Sequence, residues 1–184
     1  MGHPAEKQKK YTSQDYLLTP EDKRYELIEG DLVMVPAPNV WHQRISGRLG
    51  FALQQLVLDN DLGEILIAPC DVVFDNETVL QPDILFISKA QQDIITDANI
   101  QGAPDLVIEI ISPSSAYNDL VRKKKIYARF GVKEYWLVDP EEKTVDILGL
   151  EGTAFALRRS FKQTDILVSE MFDGLQINLV GIFK

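Results

Sequence analysis

A chain of 184 residues is long enough for one domain with a full hydrophobic core and short for two. Apolar residues at 45% and charged residues at 26% exclude disorder as the default, and a single cysteine, Cys70, excludes an intrachain disulfide and a cysteine-rich zinc site. The formal net charge of −9 argues against a general nucleic-acid-coating protein, because non-specific affinity for phosphates rises with the cations presented to them.

Residues 1–11 are polar and lack the apolar segment of a signal peptide; they are expected to form a disordered leader in which His3 takes no role. Residues 12–184 are expected to form a single domain. No apolar run approaches the ~20 residues that span a bilayer, so a cytoplasmic, reducing compartment is expected. Residues 12–19 begin with good capping residues and predict a short helix ended by Pro20. Residues 25–35 read as a β-hairpin turning at Gly30 and stopped by Pro36 and Pro38. Asn39 then caps a helix whose Ile45, Leu49, Leu53 and Leu56 recur at helical spacing, so that it packs on a sheet. Residues 64–74 predict one strand bent at Pro69, and residues 84–87 the next. A polar stretch with room for a short helix follows over 88–104. Residues 106–111 then read as a central strand, being apolar on both faces. Ser112-Pro113-Ser114-Ser115 breaks that strand and caps a helix from about Ala116 to Phe130, with Gly131 placed to close it. Residues 135–138 form the following strand, and three further strands are expected over 144–150, 154–161 and a last apolar segment ending at Phe183. The predicted class is α/β: a mixed β-sheet flanked by helices, with an N-terminal hairpin and a C-terminal β extension.

Glu109 is the strongest local anomaly, a carboxylate inside Leu-Val-Ile-Glu-Ile-Ile. Burying it ionised is costly unless it is paired or bound to a metal. Strand alternation puts Asp105, Val107, Glu109 and Ile111 on one face, and Asp83, Leu85 and Ile87 on one face of the preceding strand. If the two strands are antiparallel neighbours, Asp83 and Glu109 converge. Two adjacent carboxylates repel, and a hard divalent cation is the natural compensation: magnesium takes few carboxylates and keeps water and phosphate oxygens for its other positions. That chemistry suits phosphodiester hydrolysis. The bland alternative makes Asp83 a turn residue after proline and Glu109 a sheet-end acid bonded to a backbone donor; the pair together favours the metal.

In the next helix Ala116, Leu120, Lys123, Tyr127 and Phe130 recur as the stripe that should face the sheet. Lys123 is then the inward lysine of the Arg-Lys-Lys-Lys run, unless it snorkels to the helix edge, and Lys124 and Lys125 are solvated. Residues 119–134 carry Arg122, Lys123, Lys124, Lys125, Arg129 and Lys133 against Asp119 and Glu134, a basic strip on an acidic body. Glu26 either adds a third carboxylate or is an ordinary exposed strand acid. His42, on the stripe with Ile45 and Leu49, reads as a satisfied core histidine before a further site residue. Trp41 and Trp136 read as packing residues.

Pro82-Asp83, Glu109-Ile110-Ile111 and Lys123 resemble a variant of the PD-(D/E)XK nuclease signature. The lysine expected two residues after the glutamate has moved to the next helix, and Ile111 occupies its usual slot. The wider pattern resembles the Uma-two family of restriction-endonuclease-like proteins over about residues 12 to 183. The resembling residues are Tyr25 through Gly30, His42, Pro82-Asp83, Glu109 through Ser114, and Lys123 with Tyr127 through Pro140. The resemblance implies a restriction-endonuclease-like fold and a divalent metal, magnesium or manganese, held by Asp83 and Glu109. It also implies Lys123 as the active-site lysine and DNA as substrate. The expected function is a metal-dependent endonuclease that hydrolyses phosphodiester bonds. The net charge favours the alternative, a catalytically inactive nucleic-acid- or protein-binding module on the same fold; a hydrolase of small phosphoesters is a third reading. A homodimer would supply the two sites that double-strand cutting needs.

Overall fold

The computed structural model describes residues 10–20, 22–113 and 117–184. Most of the expected leader, with His3, therefore lies outside the described residues, as do Ser114, Ser115 and Ala116 of the expected cap. Tyr11 belongs to the folded part: its N–H donates to the Gly30 carbonyl at 2.9 Å. Thr12 and Asp15 then close a reciprocal capping box at the start of α1 (Ser13–Tyr16).

Strands β1 (Arg24–Ile28) and β2 (Asp31–Val35) form the predicted hairpin. Its two turn residues, Glu29 and Gly30, both have positive φ, 53° and 82°, the geometry whose twist matches the flanking strands. The hairpin is not an appendage to the main sheet, however. β1 pairs with β5 (Thr78–Leu80), and β4 (Val72–Asp75) and β7 (Ile100–Gln101) complete a second sheet ordered β2-β1-β5-β4-β7. The single strand predicted over 64–74 is correspondingly two. β3 (Gly63–Ile67) lies in the central sheet and β4 in the second, and Pro69 between them has no N–H to continue a ladder.

The central sheet runs β11-β10-β9-β8-β6-β3, with β6 (Ile84–Ser88), β8 (Leu106–Ile110), β9 (Glu134–Asp139), β10 (Thr144–Glu151) and β11 (Ala154–Lys162). As its two-sided apolar pattern requires, β8 is interior, antiparallel to β6 and parallel to β9. β10 and β11 extend this sheet, so that only β12 (Ile166–Ser169) and β13 (Phe172–Asn178) stand apart as a hairpin. The chain's last apolar segment closes in a short helix, α4 (Leu179–Ile182), where strand was expected.

Helices cover both faces of the central sheet. On one, α2 (Val40–Asp59) starts where Asn39 Oδ1 accepts the His42 N–H at 2.8 Å, and buries Ile45, Leu49 and Leu53 among Ile84, Phe86, Ile108 and Trp136. The stripe continues at Val57, with Leu56 only partly covered. On the other face α3 (Lys124–Phe130) packs Ile126 and Tyr127 against Val107, Tyr135 and Leu137, and Gly131 closes it at φ 87°. The crossover reaches α3 through a π-helical turn, Asn118–Lys123. That wider turn changes the phase of the helix, so Asp119 is buried and Leu120, expected on the inward stripe, is 43% exposed. Among the described residues no helix is long and apolar enough to cross a membrane.

Candidate active site

The register of β6 on β8, with Ile84 opposite Ile108, brings Asp83 and Glu109 to the same end of the central sheet. Asp83 Oδ2 accepts the Ile110 N–H at 2.8 Å and lies 3.1 Å from His42 Nε2, the first-turn histidine of α2. Both contacts fall on Oδ2. Glu109, 3% exposed, accepts the Tyr127 hydroxyl at 2.6 Å and the Lys123 ammonium at 3.1 Å, both on Oε1. Alternation along β1 puts Arg24, Glu26 and Ile28 on one face. Glu26 is thereby buried beside the same lysine, its Oε1 2.9 Å from Lys123 Nζ and accepting the Gln81 N–H at 2.8 Å. Asp119 supplies a third carboxylate, Oδ1 at 3.3 Å from Lys123 Nζ. Asp83, Glu109, Lys123, Glu26 and His42 all line one cavity of about 270 Å³, together with Asp119 and Arg24.

A family model described as "Uma2: Putative restriction endonuclease" matches residues 12–180, nearly the whole chain. The chain belongs to the Uma2 family. No curated protein matches it. Among solved structures it is similar to a "putative nuclease belonging to DUF820" from Anabaena variabilis, at 20% identity and TM-score 0.76, over 94% of this chain and 97% of that one. The likeness shows the fold, a restriction-endonuclease-like mixed α/β architecture.

In this Uma2 chain the lysine reaches the carboxylates without snorkelling, and Glu26 is not an exposed strand acid. His42 faces Asp83, while its buried Nδ1 has no hydrogen-bond partner among the described residues. A carboxylate facing Nε2 makes that nitrogen the proton-bearing one in the neutral ring. Trp136 is fully buried in the core, as expected of a packing residue. Burial pushes the Glu109 carboxyl well above the usual carboxylate range; the Lys123 ammonium offsets part of this, and Asp119, Asp83 and Glu26 add to the rise. Burial would depress Lys123, but Glu109, Glu26 and Asp119 outweigh it and hold its ammonium well above the usual range.

Sequence reasoning missed three residues here. Asp119 stands about one helical turn before Lys123, an i,i+4 signal that a search for apolar stripes passes over. Tyr127 was on the inward stripe, but nothing in the spacing distinguishes a ring that packs from one whose hydroxyl binds a carboxylate. Gln81 precedes Pro82-Asp83 without a pattern of its own. The basic strip also dissolves. Arg122 bonds Asp31 at 2.7 Å and the Ile28 carbonyl at 2.9 Å, Arg129 pairs with Glu29 at 2.9 Å, Lys133 pairs with Asp105 and Lys123 is buried. These cations tie the crossover helix to the hairpin and to β8, leaving Lys124 and Lys125 on the outside of the helix.

Among the described residues no three His, Cys, Asp or Glu side chains form a ready-made metal cage. A hard cation of magnesium's type needs only one or two carboxylates, completing its shell with water and substrate oxygens. The donor set fits that demand. It is all oxygen, carboxylates outnumber the lysine beside them, and the contacts of Asp83 and of Glu109 each engage one oxygen of the pair.

Proposed function

We propose that this protein is a metal-dependent nuclease that hydrolyses phosphodiester bonds in DNA, with magnesium or manganese held by Asp83 and Glu109. The observation that carries the reading is the meeting of these two carboxylates with Lys123 in one cavity at the end of the central sheet. When bound, the cation supplies Lewis-acid activation of water and neutralises charge on the phosphate. The residues around it hold the geometry. The Ile110 N–H and His42 Nε2 fix Asp83 from one side, and Tyr127 and Lys123 fix Glu109 from the other, so neither carboxylate must reorient during reaction. The Lys123 ammonium, buried where its field is little screened, opposes the negative charge that develops on the phosphate oxygens and orients the attacking water.

Supercoiled plasmid incubated with native protein in magnesium or manganese should be nicked, while chelator or Asp83→Asn should prevent it. In parallel, millimolar magnesium should raise the Tm of the native protein and not of Asp83→Asn, since a ligand bound only by the folded state stabilises it. Oligonucleotide binding without cleavage under any metal would favour the non-catalytic module instead.

A further inference from the structure

A phosphate entering this cavity meets four carboxylates, Glu26, Asp83, Glu109 and Asp119, and two cationic side chains, Lys123 and Arg24. Lys123 is already engaged by three of the acids. Arg24 is placed differently. Its Nε and Nη2 both donate to Gln81 Oε1, at 3.0 and 2.9 Å, so its fork is held by a neutral oxygen and keeps its full charge. Among the described residues no carboxylate lies within ion-pair distance of it. The Gln81 amide is itself fixed: its Nε2 donates to Asp71 Oδ1 at 2.7 Å and to the Tyr16 hydroxyl at 3.1 Å, and the Tyr16 hydroxyl donates to Asp71 at 2.8 Å. With both amide hydrogens directed there, the amide oxygen is left to face the guanidinium. The Gln81 N–H binds Glu26, which joins this support to the carboxylate cluster.

We propose that Arg24 is the phosphate-docking residue of this cavity, with Gln81 as its positioning residue and a backbone phosphate of the nucleic-acid substrate as its ligand. The identity of that ligand rests on the nuclease reading; the anion site itself does not. A planar guanidinium with one edge anchored presents its remaining N–H groups in a fixed fork, the geometry that takes two phosphate oxygens at once. A buttress made of a neutral amide orients the arginine without neutralising it. Lys123, the other cation of the cavity, is held by three carboxylates, so Arg24 is the one placed there to admit a phosphate.

The test uses the full chain in the cleavage-deficient Asp83→Asn background, with a fluorescein-labelled oligodeoxynucleotide titrated by anisotropy in magnesium. Arg24→Ala should weaken binding on the order of 10- to 100-fold, the loss of a charge-assisted bidentate contact. Arg24→Lys should recover only part, and Gln81→Met should weaken binding less than Arg24→Ala. In the otherwise native protein Gln81→Met should raise KM for cleavage with little change in kcat, while manganese binding by calorimetry stays at its native value for both Arg24→Lys and Gln81→Met. Undiminished oligonucleotide binding by Arg24→Ala overturns the proposal, as does a parallel loss of manganese affinity and Tm in all three variants, which would make Arg24 structural. Arg24-dependent binding by a protein that cleaves nothing under any metal would sink the nuclease reading and leave the docking site standing.

Discussion

Lys123 holds three carboxylates on one ammonium, and its removal leaves Glu26, Glu109 and Asp119 buried without the charge that offsets them. Breaking a buried pair from one side typically destabilises by about 3–5 kcal/mol. Lys123→Ala should fall in that range by urea denaturation, and the double variant with Glu26→Gln should regain part of the loss, because the two substitutions share a partner. Cleavage should drop on the order of 10²–10³-fold in the single variant and stay low in the double one, whereas Lys124→Ala and Lys125→Ala should leave it near native. Equal losses from all three lysines would remove Lys123 from the site. The inward lysine was legible in the sequence because Lys123, Tyr127 and Phe130 keep helical spacing. Asp119 was not, since the π-helical turn shifts its phase and the extrapolated stripe selected Leu120 instead. Nor could sequence settle Glu26: alternation fixes its face on β1 but not what covers that face, and its partner comes from a distant helix.

At the scale of elements, Asp105 immediately precedes the strand that carries Glu109, in phase with that residue, and its contacts are structural. Its carboxylate accepts the Ser88 N–H at 2.8 Å and the Gln91 amide at 3.2 Å and pairs with Lys133, while its carbonyl accepts the Lys133 and Glu134 N–H groups. It thus joins the end of β6, the start of β8 and the α3–β9 connection. Burial pushes its carboxyl up, but the Lys133 ammonium and the Ser88 N–H together outweigh that and hold it below the ordinary 3.8. A depressed carboxylate stabilises above its unfolded pKa and loses that contribution as pH falls through the folded one. The Tm of the native protein should therefore drop more steeply below about pH 4 than that of Asp105→Asn, and parallel acid limbs would contradict the assignment. Glycines offer a second comparison. A Cβ on Gly63 would lie 2.1 Å from the Ile87 carbonyl oxygen, whereas one on Gly47 of α2 meets nothing within 4 Å. Gly47→Ala should stabilise by about 0.5–1 kcal/mol and Gly63→Ala should destabilise by more than that, both read from chemical denaturation. The 20-residue α2 could be read from its helical periodicity, and β8 from an apolar run interrupted only by Glu109. The second sheet could not: β4, β5 and β7 have four, three and two residues, too few to show alternation, and their partners are set by pairing far along the chain.

For the whole molecule, the sum of charges and their placement give different answers about a nucleic-acid partner. A net charge of −9 repels a polyanion, and a basic helix could still have supplied a local track of phosphate contacts. The fold weakens that track by pairing Arg122, Arg129 and Lys133 with Asp31, Glu29 and Asp105 and by burying Lys123. Near the cavity this leaves Arg24 and, on the helix, the outward pair Lys124 and Lys125 without a carboxylate partner among the described residues. Each phosphate neutralised on a duplex contributes a slope of about −0.9 to log Kobs against log salt, so binding through these residues should show a total slope of only about −1 to −3. Proteins that track six or more phosphates are several times steeper. Anisotropy titrations of labelled duplex from about 50 to 200 mM salt separate the two regimes. A shallow slope that becomes shallower by about one unit in Arg24→Ala ties binding to the cavity. A steep slope, insensitive to Arg24, would mean that the duplex lies on a surface made elsewhere, and the cavity would then have to receive its phosphate from a partner held by other contacts.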